Sequence, residues 1–370
     1  MYEKDRTWAE IRLEAVRNNL CALRGRLTPG THFLGVVKAD AYGHGAVPVA
    51  RTLEEAACDY LAVATLCEAR ELRDAGISLP ILILGWTSPE HSEDIVRSRI
   101  TQAVSDPGQA RALSLAAVKL GVPAKIHLKI DTGMGRTGFL ARGGRDPLPE
   151  LLPLLTLPGL ETEGIFTHFA VSETDPEYTN AQAERFLSVV AAAERVLGHR
   201  IPLRHCANSG TVLQYRHLDL DMVRPGIALY GVSPDASLPA PDLIPVMTLK
   251  SRICQIRPLS PGESVSYGRR YLADVPRRMA VLPIGYADGL FRSLSGKASF
   301  LLRGTRVPQI GTICMDMCML DVTEVPDAAV GDEVTVFGTD PSVSELAGLA
   351  GTIPYELLCA VSPRVPRVYL

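Results

Sequence analysis

The chain has 370 residues, 46% hydrophobic and 21% charged, with 38 Lys and Arg against 41 Asp and Glu and a formal net charge of −3. Such a length favours two domains, and balanced, interspersed charge excludes a basic field for nucleic acid or an anionic membrane. The N-terminus lacks the apolar core of a signal peptide, and no apolar run approaches the roughly 20 residues of a membrane span, so the expected compartment is the cytoplasm. The 8 cysteines are scattered singly without a Cys-x-x-Cys pair, which predicts reduced thiols and no metal site.

In chain order, alternation over about 7–13 predicts a first strand that stands apart and is free to pair with a C-terminal domain, followed by a helix over about 14–26. Apolar strand candidates then recur at 33–37, 60–64, 80–84, 100–104, 125–130, 162–166, 203–206 and 222–223, each followed by a stretch able to form a helix. Eight βα units predict an α/β fold, a (β/α)8 barrel over residues 1–240, with the active site at the C-terminal ends of its strands. A doubly wound sheet is the alternative, but its Gly-x-Gly-x-x-Gly turn is missing. Proline and small polar residues at 233–242 read as a linker. Beyond it, short strand-like runs at 246–256, 278–281, 298–302, 319–322 and 333–337, with a helix over 342–350, predict a mainly β domain over 241–370.

The stretch that organises the chain is Val36-Val-Lys38-Ala-Asp-Ala-Tyr42-Gly-His-Gly45, where an apolar strand ends in a lysine and breaks into a glycine-rich turn. Burial there disfavours the ammonium, so the amine becomes a neutral nucleophile near pH 7, the condition for a Schiff-base lysine. A strand-end lysine that snorkels to solvent is the plain alternative.

Polar residues also follow the later strands. They are Lys129, Asp131 and Arg136 after the fifth, His168 after the sixth, Asn208-Ser209-Gly210 after the seventh, and Arg224-Pro-Gly226-Ile227 after the eighth. A hydroxyl and backbone amides at the seventh and eighth turns suit a phosphate monoester, although a lone Ser-Gly is more often a helix cap.

Lys38-Ala-Asp-Ala-Tyr42-Gly-His-Gly resembles the cofactor-lysine signature of the alanine racemases, pyridoxal-phosphate enzymes of fold type III. The likeness continues through His127-Leu-Lys129-Ile-Asp131-Thr-Gly-Met-Gly-Arg136, Thr167-His168-Phe, Ala207-Asn208-Ser209, Val223-Arg224-Pro-Gly-Ile-Ala-Leu-Tyr-Gly231, Val265-Ser-Tyr267-Gly, Pro283-Ile-Gly-Tyr286-Ala-Asp-Gly289 and Ile313-Cys-Met315-Asp316. These segments cover nearly the whole chain in the family's order.

The resemblance implies pyridoxal 5'-phosphate as cofactor and interconversion of L- and D-alanine, supplying D-alanine for cell-wall peptidoglycan. Lys38 would carry the Schiff base and one proton-transfer role, and Tyr267 the role on the opposite face. Arg224 would face the pyridine nitrogen, with His168 hydrogen-bonded in support of Arg224 and Tyr267. Tyr42, Ser209, Gly226, Ile227 and Tyr355 are implied as phosphate contacts, with Asn208 beside them. Arg136 and Met315 would hold the substrate carboxylate, Arg136 being oriented by a carbamylated Lys129 (N6-carboxylysine). Tyr286 and Asp316 would line the entrance. A head-to-tail homodimer is implied as well, in which the β domain of one subunit completes its partner's site.

Chemistry asks independently for two bases, one on each face of the α-carbon. A tyrosine titrates near about 10, so Tyr267 needs cationic neighbours, which Arg136 and His168 could supply. A guanidinium does not readily give up a proton, so Arg224 would leave the ring nitrogen neutral and weaken the electron sink. That disfavours a decarboxylase of the same fold type, while a second base is superfluous in a non-catalytic cofactor carrier. A metal hydrolase built on carboxylated Lys129, near His168 and His205, would ordinarily carry a His-x-His pair where Lys38-Ala-Asp40 stands. A serine or broad small-amino-acid racemase remains the nearest alternative. Two departures from the family, Thr312 where many relatives have arginine and the spelling Val171-Ser-Glu-Thr-Asp, bear on that substrate preference.

Overall fold

Strand β1 (Thr7–Ile11) leads directly into a helix, Leu13–Arg24, and the βα alternation follows. The computed structural model describes residues 5–235, 237–238 and 240–370. Residues 1–4, read above as free of a signal peptide, and Ala236 and Pro239 of the predicted linker lie outside the described residues.

The barrel strands are β2 (His32–Val36), β3 (Tyr60–Val63), β4 (Ile81–Ile83), β5 (Thr101–Val104), β6 (Ala124–Asp131), then after a short β7 (Phe139–Leu140) beside β6, β8 (Leu160–Phe166), β9 (Leu203–His205) and β10 (Met222–Val223). They run parallel in the order β10-β2-β3-β4-β5-β6-β8-β9. Backbone bonds from Asp221 N to Arg204 O (3.1 Å) and from Arg224 N to Ala207 O (2.9 Å) bring the two edges together and complete the ring. Strands β3, β4 and β5 are buried at every position, as parallel strands covered on both faces must be. Caps set several helix starts: Thr65 and Glu68 form a capping box, and Asp106 accepts from Gln109 N (2.9 Å) ahead of Pro107.

The second sheet has nine strands in the order β12-β15-β18-β17-β16-β19-β11-β1-β20. They are β11 (Met247–Arg252), β12 (Gln255–Leu259), β15 (Arg277–Leu282), β16 (Ser299–Leu302), β17 (Thr305–Ile310), β18 (Cys318–Asp321), β19 (Glu333–Phe337) and β20 (Arg367–Tyr369), joined by β1. A hairpin of β13 (Ser264–Val265) and β14 (Tyr271–Leu272) stands beside it. Strand β1 pairs antiparallel with β11 and parallel with β20, so the first and last strands lie side by side.

The run expected at 246–256 is two strands, because the chain changes partners between them. Ile253 N bonds to Asp332 O (3.0 Å) and Cys254 N to Val281 O (2.9 Å), taking β12 to β15 while β11 stays with β1 and β19. Strand β17, with Pro308, and the helix Pro354–Ala360 were not expected. Pro308 interrupts the strand pattern in sequence, and seven residues opened by proline give little periodicity. No helix among the described residues is long and apolar enough to cross a membrane.

Candidate active site

Strand β2 ends at Val36, and the four residues after Lys38 (Ala39, Asp40, Ala41, Tyr42) all take left-handed backbone angles, with φ of 53°, 52°, 52° and 54°. Each non-glycine residue there costs about 1–2 kcal/mol, so the turn needs support from its surroundings. Glu68 accepts from Ala39 N (2.7 Å) and Ala64 N (2.7 Å), and Asp40 accepts from Ala46 N (2.7 Å). From beneath, His44 Nδ1 bonds to the carbonyls of Ala41 (2.8 Å) and Tyr42 (3.0 Å), while its ring stacks on Tyr230 at 4.6 Å. Two carbonyl acceptors require that Nδ1 carry the proton. Gly43 is obligatory on steric grounds too, since a Cβ there would lie 2.5 Å from Leu358 O in the helix Pro354–Ala360. The turn thus presents Lys38 half-buried at the barrel mouth, its ammonium disfavoured by burial first and by the Arg136 cation second.

At the turns after β9 and β10, the Ser209 hydroxyl accepts from the amides of Gly226 (3.0 Å) and Ala228 (3.3 Å). Tyr42 is buried, with its ring 6.0 Å from that of Tyr355. A Cβ on Gly226 would stand 2.4 Å from the Tyr42 hydroxyl, so the cradle exists only because residue 226 has no side chain. The serine hydroxyl that gathers these amides keeps its own proton to donate, and with the two phenols it forms a donor set that fits a phosphate monoester. Ile227 opens the short turn Ile227–Tyr230 and lies between the two donating amides. Asn208 caps the helix Ser209–Gln214, its Oδ1 accepting from Thr211 N (2.9 Å), Thr211 Oγ1 (2.9 Å) and Ser172 Oγ (3.0 Å). It therefore shapes the phosphate turn from behind.

Arg224 is buried, with its Nη2 donating to Thr167 O (2.8 Å) and Cys206 O (3.2 Å) and its Nη1 to His205 Nδ1 (2.8 Å). The guanidinium stands 5.3 Å over the Phe166 ring, and burial pushes its pKa down to about 10, which still leaves it charged at neutral pH. His168 Nδ1 lies 3.4 Å from Arg224 Nη2, and its pKa is lowered by burial and then by Arg224, Arg136, Lys38 and Lys129. Lys129 Nζ donates to Thr137 Oγ1 (2.7 Å), and burial, then Arg136 and Arg224, push its pKa down to about 8. Arg136 rides on a loop that Asp131 folds by accepting from Gly133 N (3.0 Å) and Gly135 N (3.1 Å). It is exposed and pairs with no carboxylate among the described residues, so it is a cation free to meet one.

The structure therefore brings Lys38, Tyr42, Lys129, Arg136, His168, Ser209, Arg224, Gly226 and Tyr355 together at one mouth. Tyr267, Tyr286, Met315 and Asp316 belong elsewhere. Tyr267, Met315 and Asp316 line a concavity on the second sheet with Val265, Met279 and Met319, and Tyr267 is 71% exposed. Buried Asp288 ties the Tyr286 loop to Arg6 (3.1 Å) and Arg364 (2.7 Å), and Arg364 also bonds Asp316 (2.7 Å). Within one chain, the barrel mouth holds a single candidate base of the predicted pair.

Residues 11–234 match the family model of the alanine racemase N-terminal domain, and residues 246–369 match that of the C-terminal domain. The chain belongs to the alanine racemase family. It is 48% identical over 366 residues to the alanine racemase of Desulfovibrio desulfuricans, covering 98% of each chain. The solved alanine racemase of Clostridium difficile superimposes with a TM-score of 0.94 at 40% identity, covering 99% of this chain and 96% of that one. The Bacillus anthracis alanine racemase with bound L-Ala-P does so at 0.90 with 33% identity, covering 99% and 95%. The family's members are isomerases, and their barrel followed by a mostly β domain is the architecture described above.

The sequence alone does not single out His127, Glu163, Phe166 or Tyr230. His127 and Glu163 sit within strands, where a polar residue reads as solvent-facing. The signal available was His127, flanked by Ile126 and Leu128 in β6, together with His205, which closes β9 ahead of Cys206 and Ala207.

Proposed function

We propose that this chain interconverts L- and D-alanine with pyridoxal 5'-phosphate as its cofactor, by proton transfer at Lys38 on one face of the α-carbon and at Tyr267 of a second copy on the other. The observation that carries this reading is Lys38, held by the left-handed turn with its ammonium disfavoured, beside an Arg136 that pairs with no carboxylate among the described residues.

Lys38 would hold the cofactor's aldehyde carbon, and Ser209, Gly226, Ile227, Tyr42 and Tyr355 its phosphate. Bound pyridoxal phosphate supplies the electron sink that acidifies the substrate's α-C–H bond. Arg224 keeps its proton and would donate to the ring nitrogen, which limits how far that sink develops and favours return of the proton over loss of carbon dioxide. Arg136 would orient the substrate carboxylate together with Met315. Lys129, whose amine is partly neutral near pH 8, would take up carbon dioxide and present a carbamate to Arg136.

The second base must come from another copy. Tyr267, Tyr286, Met315 and Met317 form an exposed cluster of large apolar side chains, the mark of an interface. A head-to-tail dimer would bring them over the partner's Lys38, with Tyr286 and Asp316 at the entrance. D-alanine made in the cytoplasm would then be available for peptidoglycan.

The test is optical: holoenzyme is mixed with pure L-alanine or pure D-alanine, and loss of rotation is followed, with L-serine in parallel. Interconversion of alanine that exceeds that of serine and disappears in Lys38→Ala is expected. Turnover retained by Lys38→Ala, or a preference for serine, overturns the assignment. Tyr267→Phe is expected to raise the α-deuterium isotope effect for one enantiomer only.

A further inference from the structure

We propose that Glu163, at the floor of the barrel, is a positioning residue for Arg224, acting through a hydrogen-bonded relay, Arg224–His205–His127–Glu163, that has one consistent arrangement of protons. The contacts are Arg224 Nη1 to His205 Nδ1 (2.8 Å), His205 Nε2 to His127 Nδ1 (2.8 Å), and His127 Nε2 to Glu163 Oε2 (3.3 Å). Both imidazoles are fully buried.

The direction follows from the arginine. A guanidinium has only donors, so His205 Nδ1 must accept. Neutral His205 then carries its proton on Nε2 and donates to His127 Nδ1, and His127 carries its proton on Nε2 and donates to the Glu163 carboxylate. A proton added to either ring sets two donors against each other. Burial holds the pKa of both histidines down, helped at His205 by the Arg224 charge and outweighing at His127 the bond and charge of Glu163, which favour the charged ring. Burial alone would raise the Glu163 carboxyl, but bonds from His127, Lys125 and Tyr60 hold it down to about 2.

Two backbone features build the relay. A register shift between Ile126 and His127 leaves Glu163 without a partner on β6, and a bulge of this kind re-aims a side chain. The next residue, Gly164, would place a Cβ 2.6 Å from His127 Nδ1, so only glycine there lets the imidazole meet His205 across β8. At the floor, Glu163 is held by Tyr60, which opens β3, and by Lys125 at the start of β6 (2.6 Å).

The relay fixes Arg224 with a neutral acceptor. A carboxylate in direct contact would fix it as well, but would cancel the charge it presents toward the mouth. Here the compensating anion stands two imidazoles away. This role rests on the proposed placement of Arg224 against the cofactor ring, while the proton arrangement itself does not.

The test is long-range 1H–15N NMR of histidine-labelled protein, with and without pyridoxal phosphate and without substrate. His127 and His205 are expected neutral, protonated on Nε2 and unprotonated on Nδ1, from pH 6 to pH 8. Glu163→Gln keeps an acceptor and is expected to keep this pattern. Glu163→Leu removes the acceptor and is expected to scramble it, to lower kcat about tenfold with KM within about twofold, and to shift the bound cofactor's visible absorbance. A charged or Nδ1-protonated ring at either position in the unmutated protein overturns the proposal. So does Glu163→Gln with a changed pattern, or Glu163→Leu with unchanged tautomers and kcat. The tautomers are read whether or not alanine is turned over, so failure here is separable from failure of the proposed activity.

Discussion

The Thr312 hydroxyl donates to the backbone carbonyl of Tyr267 (2.8 Å), and the Ser266 hydroxyl donates back to the Thr312 carbonyl (2.6 Å). This reciprocal clamp holds a strained segment, for Ser266 has a φ of 64° and Gly268 a φ of 73°. Thr312 therefore sets the backbone of the proposed second base. Thr312→Val keeps the shape and removes the donor, at about 1 kcal/mol of stability. Its expected signature is a larger α-deuterium isotope effect for the enantiomer whose proton Tyr267 removes, with the other enantiomer unaffected. Equal effects on both would show that Thr312 supports the fold alone.

Gly226 and Tyr42 set the second prediction. With 2.4 Å between a Cβ at 226 and the Tyr42 hydroxyl, Gly226→Ala must displace the phenol. Overpacking of that kind costs about 1–3 kcal/mol, and 1.4 kcal/mol is a factor of ten, so affinity for pyridoxal phosphate should fall roughly ten- to a hundredfold. Fluorescence titration of the apoprotein measures it, and an unchanged Kd would place the phosphate elsewhere.

The contrast between these sites and the barrel explains what the residues disclose. Strands buried on both faces, such as Leu61 to Val63 or Ile81 to Ile83, read as continuous apolar runs, and polar residues past their ends stand out. Ala39 to Tyr42 carry no such mark. Their side chains are ordinary in a right-handed helix, and the left-handed turn is imposed by Glu68, His44 and the close approach of Leu358, all distant in sequence or disguised. Glu163 is equally silent, because a single-residue register shift decides which way it faces. That Tyr267 lies away from Lys38 follows from the sheet topology, in which the β13–β14 pair and the sheet holding β18 share no strand with the barrel.

Lys129 offers a chemical prediction. A pKa of about 8 leaves a useful fraction of free amine near neutrality, and the amine is the form that reacts with carbon dioxide. The product would exchange a cation for an anion among Arg136 and Arg224. Native mass spectrometry in bicarbonate at pH 8 should show one added carbon dioxide per chain, lost on acidification and absent in Lys129→Ala. That variant should raise KM for alanine about tenfold through a poorly oriented Arg136. An unmodified native mass under these conditions would refute the carbamate.

His44 makes the acid limb of the stability curve a test of the left-handed turn. Burial pushes its pKa down from 6.5 to about 4, outweighing the two carbonyl bonds that favour the charged ring. Its Nε2 is buried without a partner among the described residues, so a second proton there would find no acceptor among them. Because the folded pKa lies below the unfolded one, the stabilisation is complete above pH 6.5 and is lost as pH falls from 6.5 through about 4. A shift of this size is worth about 3 kcal/mol at roughly 1.4 kcal/mol per unit. His127 and His205 are also buried, half-buried His168 has its pKa lowered as well, and all three act in the same direction, so the whole protein should weaken below pH 6.5 by the uptake of several protons on unfolding. Urea unfolding at fixed protein concentration, repeated from pH 7 to pH 4.5, gives that uptake from its slope. His44→Gln should be less stable at pH 7, through weaker bonds to the Ala41 and Tyr42 carbonyls, and should reduce the proton uptake near pH 5 by about one. If the slope does not change, His44 titrates normally and another group supports the turn.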